Sequence, residues 1–345
     1  MKKFLSIALA LLMVCVMLPV VALAAEKTAS TYEELKSAIS TANDGDTIKL
    51  LADIDLSQTI TVNKTITLNM NGKKLYNTSD LWDKPTAEDD NWSLISVRGS
   101  GNLTITGNGT FAAKENDCYA VDVQESATVT IKNGTFIGNI HAVYVFAGTA
   151  NVEGGTYSVQ QKYPDSAKGD EFVLNCYDAN RANGTARINV TGGTFKNFNP
   201  ADNKAEGEGN NFADNSLVVQ KNNTVQNNDY YVGNAANEVI AAASKGEEIF
   251  VLNGTTLTNV PAGVIIQNRT SNAITVNGEA VDQTGDNGYV VPASYIVIVP
   301  GDTTPETPKT DDQKNPSTGA NDFVGLAAAA AVVALLGSAV VLRKK

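Results

Sequence analysis

Seven side chains stand out as able to meet a ligand: Arg98, Asp122, Tyr144, Phe146, Tyr177, Trp82 and Trp92. Tyr144, Phe146 and Tyr177 sit in alternating runs, Val143-Tyr-Val145-Phe146 and Leu174-Asn-Cys176-Tyr177. Both tryptophans fall in one stretch, 77–92, beside Asp80, Asp83, Glu88, Asp89 and Asp90. An indole beside acids on a loop suits stacking on a sugar ring. It equally suits folding back over apolar surface. Outward aromatics on a sheet also pair across strands for stability alone. Asp89, Asp90 and Asp122 form one weak set for a cation. Calcium is the metal such a set would suit, because it takes several oxygen ligands. No other cofactor is expected.

The remaining reactive groups are few. His141 is the only histidine, which leaves a catalytic triad or a histidine zinc site little to work with. Cys15 lies in the apolar leader. Cys118 and Cys176 fall two repeats apart, roughly 10 Å at strand spacing, beyond the ~7 Å limit for a bridge. Both are therefore expected as unpaired, largely buried thiols. No residue is assigned as catalytic.

Elements must place those side chains, and the sequence repeats to do so. Gly-Thr-aromatic recurs at Gly109-Thr110-Phe111, Gly134-Thr135-Phe136, Gly155-Thr156-Tyr157 and Gly193-Thr194-Phe195. Each copy follows an alternating run such as Leu103-Thr-Ile105 or Val129-Thr-Ile131. Period-two alternation marks strands, and recurrence at this interval marks a solenoid of one coil per copy. Ile95/Val97, Val121/Val123, Val143/Val145 and Leu174/Cys176 are expected to point inward as a ladder. Ser96, Asp122, Tyr144 and Asn175 then form one outward column, and Arg98, Gln124, Phe146 and Tyr177 its neighbour. The insertions 77–92, 158–171 and 196–215 are expected along a single edge of the rod.

Residues 1–24 read as a secretory signal peptide: Lys2-Lys3, an apolar run and Ala22-Leu23-Ala24, with cleavage after Ala24 or Ala25. Ser30 to Ala42 reads as a capping helix with Ser30-x-x-Glu33 as its capping box. Its order of helix, Gly45-Asp46-Thr47-Ile48, strand and Leu68-Asn69-Met70-Asn71-Gly72 resembles the start of right-handed parallel β-helix proteins of the pectate-lyase-like superfamily. The Gly-Thr-aromatic coils resemble those of bacterial surface members of that group. The expected fold is thus all-β, a right-handed parallel β-helix over 25–223. A small α+β unit is expected over 224–299, where 236–252 echoes the capping segment and Ala273 to Gly278 reads as an Asn-Gly hairpin. Residues 300–314 read as a linker.

The chain closes on Asn315-Pro316-Ser317-Thr318-Gly319, an apolar run over 323–342 and Arg343-Lys344-Lys345. Twenty apolar residues suffice to span a bilayer as a helix, and the basic tail suits the cytoplasmic side. The segment 315–345 resembles the sorting signal of sortase-anchored Gram-positive surface proteins, with Asn315 where leucine is usual. That resemblance implies cleavage between Thr318 and Gly319 and transfer of the Thr318 carbonyl to a peptidoglycan amine. Sortase, peptidoglycan and, transiently, the membrane are the implied partners, and the outer cell wall the location.

Formal charge is −11. Removing both terminal signals takes five bases and one acid from the 26 and 37, leaving about −15. That argues against nucleic acid as a partner. Three functions are carried forward: a wall-anchored binder of glycan or host surface, an extracellular polysaccharide lyase or glycosidase on the same face, and a structural spacer. For a lyase the sequence offers Asp55 and Asp122 with Arg98 on the intervening coil. The Asn-Thr-Asp, Asp-Asp and Gly-His-Gly patterns of β-helix hydrolases are not found on these strands.

Overall fold

A computed structural model describes residues 24–82, 92–161, 171–202, 211–221 and 228–293. The described chain is mostly β, in stacks of parallel strands consistent with a β-helix solenoid. The first sheet has seven strands, all parallel: Glu26–Ala29, Thr47–Leu50, Thr65–Asn69, Asn102–Thr106, Thr128–Ile131, Gly148–Val152 and Ala186–Val190. The second has five: Ile60–Val62, Ser93–Val97, Tyr119–Val123, Val143–Val145 and Leu174–Cys176. The third begins with Ile54–Asp55, Lys74–Tyr76, Thr110–Ala112, Thr135–Gly138, Thr156–Val159 and Gly193–Lys196. From Ile60 onward the chain visits second, first and third sheet in turn, one coil per circuit.

Register follows the inward ladder. Val121 pairs with Ile95 and Val143, Val123 with Val97 and Val145, and Leu174 and Cys176 extend both rows. Their side chains are buried, and the buried Cys118 and Cys176 are not joined in a disulfide. Each coil satisfies the backbone of the next: the amides of Gln124, Phe146 and Tyr177 donate at 2.9 Å to the carbonyls of Val97, Val123 and Val145.

The aromatic of each Gly-Thr-aromatic phrase turns inward. Phe111 stacks on Phe136 (ring centres 4.8 Å apart), Phe136 on Tyr157 (5.1 Å) and Tyr157 on Phe195 (5.0 Å). All four rings are fully buried. The Tyr157 hydroxyl donates to the Gly154 carbonyl at 2.6 Å, which lets a phenol sit in an apolar row. The glycine before each threonine is set by the same stacking. Gly155 has φ of +101°, and a Cβ there would stand 2.9 Å from the Gly134 carbonyl oxygen.

The ends are closed differently. Helix α1, Tyr32–Ser40, buries Leu35, Ala38 and Ile39 over the first coil. Its cap is Thr31, one residue beyond the expected Ser30: the Thr31 hydroxyl oxygen accepts from the Glu34 amide (3.2 Å), and Glu34 accepts from the Ser30 amide (2.7 Å). Ser30 and Thr31 both stand three residues before a glutamate, so spacing alone does not choose between them. Lys64 donates to the carbonyls of Ser40 (2.7 Å) and Ala42 (2.6 Å) at the helix's other end.

At the far end the third sheet reverses. Asp229–Val232 pairs antiparallel with Gly193–Lys196, then Val218–Lys221 and Glu248–Asn253 follow, also antiparallel. Ile265–Asn268 and Tyr289–Val290 complete eleven strands. Val218 packs into the rod's core, whereas its neighbour Val219 packs into a second core with Ile240, Ile249 and Ile266. One sheet thus serves two cores. Helix α2, Asn234–Ala241, and the strand Glu248–Asn253 match the echo over 236–252. Ile274–Val276 and Glu279–Val281 form the expected hairpin, with Asn277 and Gly278 both at positive φ.

The stacked rings make one prediction. Phe136→Ala leaves a void between Phe111 and Tyr157 and should lower stability by about 3–5 kcal/mol. Guanidinium unfolding of the variant checks this, and a loss below about 1 kcal/mol would show that the ring stack carries little of the fold.

Candidate functional site

The second sheet carries the candidate face. Thr61, Ser96, Asp122, Tyr144 and Asn175 lie side by side in register, as the outward column expected. Along it the chemistry changes. At Ser96 and Asp122 the column is buried, not exposed. The Ser96 hydroxyl donates to Asp122 (3.0 Å), Gln124 Nε2 donates to both carboxylate oxygens (2.9 and 3.0 Å), and Arg98 Nε donates to Ser96 Oγ (2.9 Å). These bonds satisfy a buried carboxylate, as burial demands. Alternation told which side Asp122 faces, but not that the side would be covered.

Further along, aromatic rings take over. Phe146 and Tyr177 stack at 4.9 Å and 27°, yet remain 40% and 45% exposed. Tyr144 lies on the His141 ring at 5.2 Å and 13°. Beside it runs a column that the sequence reading passed over: Tyr119, His141 and Phe172, each two residues before the inward residues Val121, Val143 and Leu174. Their recurrence at one offset was the available signal. Strict alternation assigns them inward, and Tyr119 lies within the strand Tyr119–Val123. Tyr119 instead meets His141 (4.7 Å), Tyr144 (5.2 Å) and Trp82 (5.2 Å).

Both tryptophans join this face by packing. Trp82 meets Trp92 edge to face at 4.4 Å, with Trp92 still 37% exposed. Buried Asp117 anchors the turn before them, accepting from the amides of Leu81 (2.9 and 3.0 Å) and Trp82 (2.9 Å) and from Asn77 (2.6 Å). Asp117 was another residue missed, since nothing in its spacing marks it. Two of the three insertions, 77–92 and 158–171, leave at the corner between third and second sheets. The third, 196–215, leads instead to the antiparallel strand Val218–Lys221.

A groove of about 240 Å³ opens among Tyr119, His141, Tyr144, Phe172, Asn175 and Tyr177. His141 is its best-defined polar group. Nδ1 lies 2.7 Å from the Phe172 carbonyl, so it carries the proton; Nε2 then accepts from Asn175 Nδ2 at 3.3 Å. Burial pushes the imidazole down to about 4, against a smaller opposite pull from the Phe172 carbonyl. At neutral pH the ring is therefore uncharged, with its remaining lone pair engaged. It is poorly suited to serve as a general base.

Asp55, grouped with Asp122 and Arg98 at the sequence level, lies instead on the third sheet, where it accepts from the Thr78 amide (2.9 Å) and hydroxyl (2.6 Å). The two strands share a period but not a sheet. Among the described residues no three His, Cys, Asp or Glu side chains cluster to hold a metal. Asp89 and Asp90 lie outside the described residues, as do the segments 315–319 and 323–342. Among the described residues no helix is long and apolar enough to cross a membrane. Comparison with known proteins found no matching family model, curated protein or solved structure.

His141 sets a pH dependence. A histidine whose folded value lies below its unfolded value of about 6.5 leaves stability intact above that point and erodes it as pH falls toward 4. The loss should reach roughly 3 kcal/mol across that window. Unfolding of the protein and of His141→Phe at several pH values checks this; the same decline in both would assign it to other groups.

Proposed function

We propose that this chain is a secreted, wall-anchored surface protein whose right-handed β-helix presents the aromatic face of its second sheet to a glycan. One observation carries the reading: Phe146 and Tyr177 form a stacked, exposed pair beside a groove lined by four further rings. Large rings left in water on adjacent coils favour an apolar partner. A sugar ring supplies an apolar C–H face for such rings and hydroxyls for groups such as Asn175. The binding reading is preferred to lyase or glycosidase chemistry because Asp122 is hydrogen-bonded and buried, and Asp55 is on another sheet. Glycoside hydrolysis works through two carboxylates flanking one bond.

Anchoring rests on the sequence 315–345. In this reading sortase cuts after Thr318 and joins the rod to peptidoglycan, with the linker 300–314 between them. Calcium has no role in the binding reading.

A glycan array probed with the secreted protein tests the face. Phe146→Ala with Tyr177→Ala should weaken retention roughly tenfold or more, since each aromatic contact contributes about 1 kcal/mol. Unchanged retention, or no glycan retained at all, would remove the binding reading. For the anchor, Thr318→Ala expressed in a sortase-bearing Gram-positive host should shift the protein out of the peptidoglycan fraction. Its persistence there in covalent linkage would rule out Thr318 as the joined residue.

A further inference from the structure

Ala25 stands at the start of the first strand and makes two backbone contacts there. Its amide nitrogen lies 2.8 Å from Asp46 Oδ1, while Asp46 Oδ2 accepts from the Asn43 amide at 2.9 Å. Asp46 is only 2% exposed, whereas Ala24 and Ala25 are on the surface. The carbonyl of Ala25 also accepts from the Thr47 amide at 2.8 Å, the first rung of the ladder between Glu26–Ala29 and Thr47–Leu50. One oxygen of the Asp46 carboxylate is thus directed at the Ala25 nitrogen, just where the first strand begins, and the other at the Asn43 amide.

We infer that the chain is cleaved between Ala24 and Ala25, and that the α-ammonium group freed on Ala25 becomes a structural ion partner of Asp46. This rests on the secretion reading. It goes beyond it by selecting one bond and giving the new terminus a task. Hydrolysis adds water across the Ala24–Ala25 peptide, leaving a carboxylate on Ala24 and an amine on Ala25 that takes a proton. Charge then replaces a neutral donor at the same position, and a charge-assisted hydrogen bond is about twice as strong as a neutral one.

The neighbouring bond fits less well. Cleavage after Ala25 would remove the donor to Asp46 Oδ1 and the acceptor for the Thr47 amide together. It would leave a buried carboxylate oxygen without that partner. Cleavage after Ala24 keeps both bonds. The other charges acting on Asp46 are Lys27, on the same strand, and Lys64, from the next coil, and both favour its ionised form. The amides of Ala25 and Asn43 already hold this carboxyl below its usual range.

The consequence is a cap that tightens on maturation. While the leader is attached, Ala25 offers only an amide. Once it is removed, the strand over helix α1 is pinned by an ion pair at its first residue.

The test uses the full-length chain secreted with its own leader. Terminal sequencing should read Ala25-Glu26-Lys27-Thr28. The terminal amine, followed by pH-dependent labelling, should titrate about one unit above the ordinary amino-terminal range, a tenfold lower acidity. Asp46→Asn, which keeps an acceptor for Ala25, should return it to that range. A chain beginning at Glu26 overturns the inference but leaves secretion standing. A retained leader overturns both. A terminus at Ala25 whose titration is the same in Asp46→Asn supports the cleavage site and overturns the ion pair.

Discussion

Everything in this molecule depends on in-register parallel stacking. A single coil has short strands of two to five residues, too few to bury a core or satisfy their own backbone. Each coil gains both only when the coils above and below present the same type of residue at the same position. Hence the rows Ile95-Val121-Val143-Leu174 and Phe111-Phe136-Tyr157-Phe195. A shift of one residue in any strand would send a whole inward set outward. Length is absorbed at the corners, where extra residues leave the ladder intact. The ends need separate solutions: a helix with its own capping bonds at one, and a reversal of strand direction at the other.

The same constraint explains why chemistry can vary along one face. Inward positions are tied to their neighbours; outward ones need only avoid disturbing the strand. On the second sheet this freedom yields two unlike neighbourhoods on adjoining coils. Around Asp122 the outward side chains form a closed hydrogen-bonded group. Around Tyr144, Phe146 and Tyr177 they form stacked rings, part covered and part exposed. A rod built from like coils can therefore place a recognition surface on some of them without altering the others.

The inward rows were readable because repetition and alternation report them together. Val121/Val123 and Val143/Val145 repeat one alternating doublet between successive Gly-Thr-aromatic phrases, and the structure pairs them in register. The Asn277-Gly278 turn was readable because positive φ at both positions narrows the choice of residue. What covers an outward side chain was not readable. Asp122 and Phe146 occupy equivalent sides of neighbouring strands, yet one is buried and the other 40% exposed. That difference comes from contacts distant in sequence, such as Ser96 with Asp122, which no local pattern encodes. Tyr119, His141 and Phe172 were hidden for a different reason: period-two alternation assigns them inward, yet their rings meet one another instead.

The electrostatics of the face narrow what it would recognise. The whole chain carries −11, but the groups at the groove are largely silent. His141 is neutral, and Asp178 at the groove's edge stands 3.5 Å from Arg181. A ligand there meets rings, the Asn175 amide and, at the edge, the exposed Asp178 carboxylate. Recognition on such terms depends on shape and on apolar contact, and salt should screen little of it. The acidic charge elsewhere on the chain would still oppose a polyanion at a distance. In the proposed binding reading, these favour an uncharged glycan over an anionic polysaccharide.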